Sequence, residues 1–234
     1  MPAYAASTRT AVPQARIPAG YLAMQGSATL GRSAMADDRG GTRRTFAKGE
    51  ELFAEGEAAD FFYQVVSGTV RVCKLLSDGR RQIDAFQLAG DIFGLENGAE
   101  HRFTAEAVEE TVVLAFRRGR FTSLLHDNPA FGDQLMTSMI ASLERAQDHM
   151  VLLGRKTAQE KIATFLLDMA GRLAKGDRLH LPMQRTDIAD HLGLTIETVS
   201  RTLTQMVRDG LIKLGAAGRT ITLTDKLALQ QLNG

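Results

Sequence analysis

Near the C-terminus, Glu197, Ser200 and Arg201 are spaced so that a helix would place all three on one face. Together they carry the donors and acceptors that base edges demand. Arg201 can donate a bidentate pair to guanine O6 and N7, Glu197 can accept from an exocyclic amine of cytosine or adenine, and Ser200 suits either role. Each such pairing discriminates between bases by about 1–3 kcal/mol. Thr186, Thr195, Thr198 and Arg208 lie nearby as candidate phosphate contacts, which would set register without reading sequence.

These side chains need a positioning frame, and the surrounding residues supply one. Ile188, Ala189 and Leu192 share a face of a short first helix, and Gly193 provides the sharp turn after it. Thr195 is a natural N-cap for a second helix. Val199, Leu203, Met206 and Val207 form its apolar stripe, opposite Glu197, Ser200, Arg201 and Thr204. Gly210 suits a left-handed end to that helix. The apolar runs 211–214 and 220–223, separated by a Gly-rich tip, predict a β-hairpin wing from which Arg219 can reach a phosphate. The expected unit over residues 154–234 is a winged helix-turn-helix on double-stranded DNA.

Upstream, Met136, Met139, Leu143, Ala146, Met150 and Leu153 recur at alternating steps of three and four, which defines one seam of a helix over residues 129–153. A partner helix explains so narrow a seam better than an ordinary amphipathic core helix does, so a homodimer is expected. Gly154 is a point where this helix or its neighbour can break, and residues 156–173 predict another helix.

Residues 44–128 have a different texture. Short apolar runs at 51–53, 61–66, 69–72, 83–86 and 111–116 are separated by Ser67-Gly68, Asp78-Gly79 and charged turns, as in an antiparallel barrel or sandwich. Along residues 69–75 the pattern puts Val70 and Val72 on one side of the pleat and Arg71 and Cys73 on the other. Residues 1–43 carry no sustained apolar period and read as a flexible arm, with room for a short strand or helix around Tyr21 to Leu30.

The totals limit the alternatives. Every apolar stretch is interrupted by charge or Gly, so no membrane span is expected, and the opening residues lack the apolar block of a secretion signal, which favours a cytoplasmic address. One cysteine, Cys73, permits no intrachain disulfide and no multi-thiolate metal site; on a strand it reads as a packed residue rather than a redox switch. No phosphate-binding Gly loop, His-Glu-x-x-His or Gly-x-Ser-x-Gly motif is present, so an enzyme is not expected. The formal net charge is +1, but it is unevenly placed. From Gly154 onward twelve Lys and Arg face eight Asp and Glu, against sixteen and nineteen before it, which weakly favours a DNA contact in the C-terminal part.

With these residues in view, the chain from Thr45 onward resembles the CRP/FNR family of bacterial regulators. Glu50-Glu51-Leu52-Phe53, Gly56, Asp60 and the run from Phe62 to Gly68 look like the opening of its cyclic-nucleotide-binding-type β-roll, and Gly90-Asp91-Ile92-Phe93-Gly94 looks like its central turn. Glu197-Thr198-Val199-Ser200-Arg201 matches the FNR-type recognition signature. The resemblance implies an α+β protein: an antiparallel β-roll, a long dimerisation helix and a C-terminal winged helix-turn-helix. It also implies a homodimer on inverted repeats with TTG and CAA half-sites, its recognition helices about 34 Å apart, and contacts to RNA polymerase from exposed loops such as residues 77–81 and 117–120.

The sensor half departs from the family's ligand-binding branches. The Gly-Glu and Arg-Ser or Arg-Ala pairs that hold a cyclic nucleotide are missing from residues 94–105, where Glu96 and Glu100 would oppose an anion near Arg102. Four thiolates for an iron-sulfur cluster are absent. His101, His126, His149, His180 and His191 show no paired arrangement for haem. The pattern most resembles the FixK-like branch, whose members activate genes of microoxic respiration, denitrification and nitrogen fixation without a known small ligand. No cofactor and no metal are therefore expected. The alternative is an effector-gated sensor binding haem or another ligand in the β-roll.

Overall fold

The computed structural model describes residues 40–174, 176–215 and 218–233, together with a two-residue strand at Met35–Ala36. Most of the expected arm, including Tyr21 to Leu30, lies outside the described residues.

Two antiparallel sheets make the β-roll. The first has strand order β1 (Met35–Ala36), β2 (Thr42–Phe46), β9 (Thr111–Arg117), β4 (Phe61–Ser67) and β7 (Ile92–Phe93). The second runs β3 (Glu51–Phe53), β8 (Thr104–Ala107), β5 (Val70–Leu75) and β6 (Arg81–Gln87). Strand pairing thus begins at Met35 and Thr42, inside the stretch expected to be an arm, because β2 completes the ladder beside β9 from Thr42↔Ala115 to Phe46↔Thr111. Phe46, Phe53, Tyr63, Val65, Val70, Phe93, Val113 and Ala115 fill the space between the sheets. Gly68 is obligatory at its turn: its φ is +86°, and a Cβ there would lie 2.5 Å from Thr111 Oγ1.

Both outward faces of the roll are also covered, which explains why β4 reads as a continuous apolar run rather than an alternation. On one side Phe62, Ile92, Leu114 and Phe116 pack against Phe131 and Leu135 of a long helix. On the other, Cys73, Ile83 and Phe86 join the core of the C-terminal unit. The expected facing along β5 holds: Val70 and Val72 pack into the roll interior, while Cys73 joins that second core. The ladder with β6 shifts register between Val72 and Cys73.

A helix α1 (Phe121–Asp127) precedes the long α2 (Pro129–Arg155), whose start is set by Asn128: its Oδ1 accepts the Phe131 N–H at 3.0 Å, and Pro129 occupies the first turn. α2 runs unbroken through Gly154, contrary to the break allowed for there, and ends at Arg155. Thr157 then opens α3 (Ala158–Leu173) with a capping box to Glu160. The C-terminal unit continues with β10 (Arg178–His180), α4 (Arg185–Leu192), α5 (Ile196–Arg208), β11 (Ile212–Leu214), β12 (Thr220–Leu223) and α6 (Lys226–Asn233). Its small sheet has the order β10-β12-β11, so the expected two-stranded wing carries a third strand. No described helix is long and apolar enough to cross a membrane.

Candidate nucleic-acid interface

α4 and α5 build the candidate interface. Ile188, Ala189 and Leu192 are buried on α4, and Gly193 caps the helix in the left-handed region at φ +61°. Thr195 starts α5 by accepting the Thr198 N–H at 3.2 Å. Val199, Leu203 and Met206 are buried beneath it. Val207, expected in that stripe, is 37% exposed: it follows Met206 on the helix and lies past the edge of the buried face. The end of α5 is a Schellman motif, in which the Gly210 N–H bonds Val207 O at 3.1 Å and the Leu211 N–H bonds Met206 O at 3.0 Å, with Gly210 at φ +75°.

Opposite the buried stripe, Glu197 and Arg201 are exposed and make no ion pair among the described residues, while Ser200 is half-buried between them. Thr186, Thr195, Arg208 and Arg219 are exposed as well; Thr198 is half-buried, its hydroxyl 3.1 Å from that of Thr195.

Sequence reasoning missed Arg185. Its Nη1 donates to Ser200 Oγ at 3.3 Å, and its Nη2 lies 3.4 Å from where a Cβ on Gly218 of the wing would stand. It therefore bridges the recognition helix and the hairpin. A signal existed: a cation in the first turn of a helix opposes the helix dipole, so its place there calls for another reason.

Along α2, Met136, Met139, Leu143 and Met150 are between 49% and 66% exposed, and Ala146 is exposed. Ile140 and Val151, which were not singled out, continue the same open apolar strip. Leu153 differs. It packs into the core of the C-terminal unit, where a Cβ on Gly193 would lie 3.3 Å from its Cδ2.

The segment corresponding to a ligand pocket is internally occupied. The His101 ring stacks on Phe53 with centroids 3.6 Å apart, and His101 is 3% exposed. Burial pushes its imidazole below the ordinary histidine range, against the pull of Glu96 and Glu57. Arg118 donates to the carbonyls of Glu96 at 2.6 Å, Ala59 at 2.7 Å and Gly98 at 2.8 Å, so its guanidinium is committed to the loop itself. Three of the five N–H donors of Arg118 are thus spent on backbone carbonyls, and the Gly-Glu and Arg-Ser or Arg-Ala pairs of a cyclic-nucleotide site are missing from residues 94–105. Among the described residues, no group of three or more His, Cys, Asp or Glu is placed to hold a metal ion.

Comparison with known proteins agrees with this geometry. The Crp-like helix-turn-helix domain matches residues 160–232, and the cyclic nucleotide-binding domain matches residues 43–128. The nitrogen fixation regulation protein FixK of Azorhizobium caulinodans is 47% identical over 198 residues, covering 82% of this chain and 79% of that relative. The chain belongs to the FixK-like branch of the CRP/FNR family. The FixK protein of Rhizobium meliloti is 44% identical over 188 residues, covering 80% of this chain and 85% of that relative. The structure of FixK2 from Bradyrhizobium japonicum matches with a TM-score of 0.77 at 46% identity, over 83% of this chain and 98% of that one. The protein is a transcription regulator with a helix-turn-helix DNA-binding domain, built on the α+β plan that the sequence implied.

Proposed function

We propose that this regulator is a cytoplasmic homodimeric activator that binds inverted repeats with TTG and CAA half-sites, without a small-molecule effector, and engages RNA polymerase at promoters of nitrogen-fixation or microoxic respiration genes. One observation carries the reading. Glu197 and Arg201 stand solvent-exposed, with no ion pair among the described residues, on the outer face of a capped helix whose opposite face is buried.

In this reading Arg201 donates to guanine, Glu197 accepts from an exocyclic amine, and Ser200 assists, its hydroxyl oriented by Arg185. Thr186, Thr195, Thr198, Arg208 and Arg219 contact the phosphates and set the register. The open strip of Met136, Met139, Ile140, Leu143, Ala146 and Met150 is the dimer contact; Leu153, packed against its own C-terminal unit, is not. The nitrogen-fixation part of the gene class comes from the names of the FixK relatives, and the microoxic respiration part from the family resemblance alone. For polymerase, Asp78 and Arg80 remain exposed in the 76–80 turn, whereas Arg81 is turned inward to α4. The filled roll segment around His101 and Arg118 supports the effector-free part.

Fluorescence anisotropy on a labelled TTG–CAA inverted repeat tests the whole reading. Purified protein with no added effector should bind the repeat at least about a thousandfold more tightly than random duplex at physiological salt. Binding that needs an added cyclic nucleotide, or haem in the purified protein's absorption spectrum, would overturn the effector-free part.

A further inference from the structure

The first helix of the helix-turn-helix is fastened to the β-roll through carboxylates whose cationic partners, among the described residues, stand on the roll. Asp187 is 3% exposed, and its Oδ1 accepts from Arg71 Nη1 of β5 at 2.9 Å and from Arg81 Nη2 of β6 at 2.7 Å. Its Oδ2 caps α4 by accepting the Gln184 N–H at 3.0 Å. One turn on, Asp190 Oδ2 accepts from Arg81 Nε at 2.9 Å. Behind Arg71 stands Glu106 of β8, bonded to the same guanidinium through Nε at 3.2 Å and through a shorter second contact. Two neutral links extend the row: Gln82 Nε2 donates to His191 O at 3.2 Å, and the His191 ring Nδ1 lies 3.1 Å from Ile83 O. Residues 81–83 of β6 are thereby joined to Asp187, Asp190 and His191 of α4.

A buried carboxylate is costly unless its charge is paired, and among the described residues the cations paired with this one, Arg71 and Arg81, both stand on the roll. Guanidinium–carboxylate bonds are directional, so this set closes in one relative orientation of α4 and β6 and opens in others. α5 follows α4 after the tight turn at Gly193, and its orientation is set with it.

We infer that Asp187 is a positioning residue for DNA recognition: through Arg71 and Arg81 it holds α4, and α5 with it, in one orientation on the roll. The inference rests on the proposed dimeric reading of an inverted repeat. Both recognition helices must then be presented at once, and the apparent affinity is the intrinsic affinity multiplied by the fraction of molecules in the competent arrangement. If loosening lowers that fraction to about a third in each subunit, the dimer loses about tenfold.

Electrostatics alone predicts the opposite sign. Asp187→Asn removes a negative charge from the DNA-binding unit, so a bystander carboxylate would leave binding to a polyanion unchanged or slightly tighter. Asparagine still offers an oxygen to the Gln184 N–H, so the cap survives.

The test uses full-length protein, the TTG–CAA repeat and anisotropy across a salt series. Asp187→Asn should bind about tenfold more weakly with an unchanged slope of log affinity against log salt, since no phosphate contact is lost. Arg81→Glu, which puts a carboxylate against Asp187 and Asp190, should weaken binding further. Adding Asp190→Arg to it restores an ion pair at unchanged net charge relative to wild type and should bring affinity back to within about threefold. Wild-type or tighter binding by Asp187→Asn, a changed salt slope, or failure of the swap to restore would overturn the inference. Hydrogen exchange without DNA gives an independent reading: Asp187→Asn should speed exchange in residues 81–83 and in α4 while α2 and α3 keep their protection. Should wild-type protein not bind the repeat, the proposed function fails and the exchange result alone decides the latch, with unchanged exchange refuting it.

Discussion

The recognition face of α5 and the loop at residues 94–105 carry similar residue types, each combining arginine, glutamate and a small polar group, yet they do opposite things with them. On α5, Glu197 and Arg201 are exposed to water and, among the described residues, meet no ion-pair partner. In the roll, Arg118 donates to three backbone carbonyls, the Glu96 carboxylate lies 3.3 Å from the Arg102 N–H, and His101 is stacked under Phe53. A surface that reads a partner keeps its polar groups open, whereas a loop that bonds them to its own backbone uses them to hold its shape. The difference follows from where each group's partners lie.

The largest expected effect breaks the recognition side outright. Leu143→Asp places a charge in the centre of the exposed α2 strip, so size-exclusion light scattering should report a monomer, and affinity for the full repeat should fall by about a thousandfold or more toward non-specific levels. A dimer that survives would move the interface elsewhere. The next two variants cross the comparison. Arg201→Ala should cost about 1–3 kcal/mol per half-site and relax the preference at one guanine, while thermal melting is unchanged; equal weakening on random duplex would assign Arg201 to the backbone instead. Arg118→Ala should do the reverse, costing about 1.5–3 kcal/mol of stability through lost charged hydrogen bonds and leaving the base preference intact. A shift in preference there would show that the roll loop talks to α5.

A pH dependence distinguishes the junction from both. His149 and His191 stack with centroids 4.2 Å apart, between Asp84 of β6, Arg145 and Asp148 of α2, and Lys161, Asp168 and Arg172 of α3. Burial lowers both imidazoles below the usual histidine value, His191 to about 3. The unfolded chain therefore binds more protons below pH 6.5, so the contribution is complete above that value and declines as pH falls from 6.5 toward 3, by about 1.4 kcal/mol per unit for His191. Urea unfolding at pH 7.0, 6.0 and 5.0 should show this slope, and His191→Gln should flatten it; a flat wild-type profile would contradict the assignment. The smallest effect is local: Thr195→Ala removes the α5 cap and should lower stability by about 1 kcal/mol, seen in the same unfolding curves.

Much of the reading unit was legible because its signals are local. Gly193, Thr195, the Val199-Leu203-Met206 stripe and Gly210 each state their role within a turn or two of helix, and the structure places them in those roles. Val207 shows how far such a pattern extends, since periodicity places residues around a helix but does not fix the width of the buried arc. β7, β8, β10 and α6 were not legible. Their apolar residues are few, and they are held by pairing with strands or packing against helices distant in sequence, as in β10 against β12 or α6 against α3.

By itself, the amino-acid order determined the family, the succession of β-roll, long helix and helix-turn-helix, and the face of α5 that turns outward, because caps, turns and periodicity act over a few residues. Tertiary structure alone decided that Leu153 turns inward, that Arg118 and His101 fill the roll loop, and that Asp187 finds its cations on strands more than a hundred residues away. Burial and pairing of charge depend on which distant surfaces meet, and no local pattern encodes that meeting.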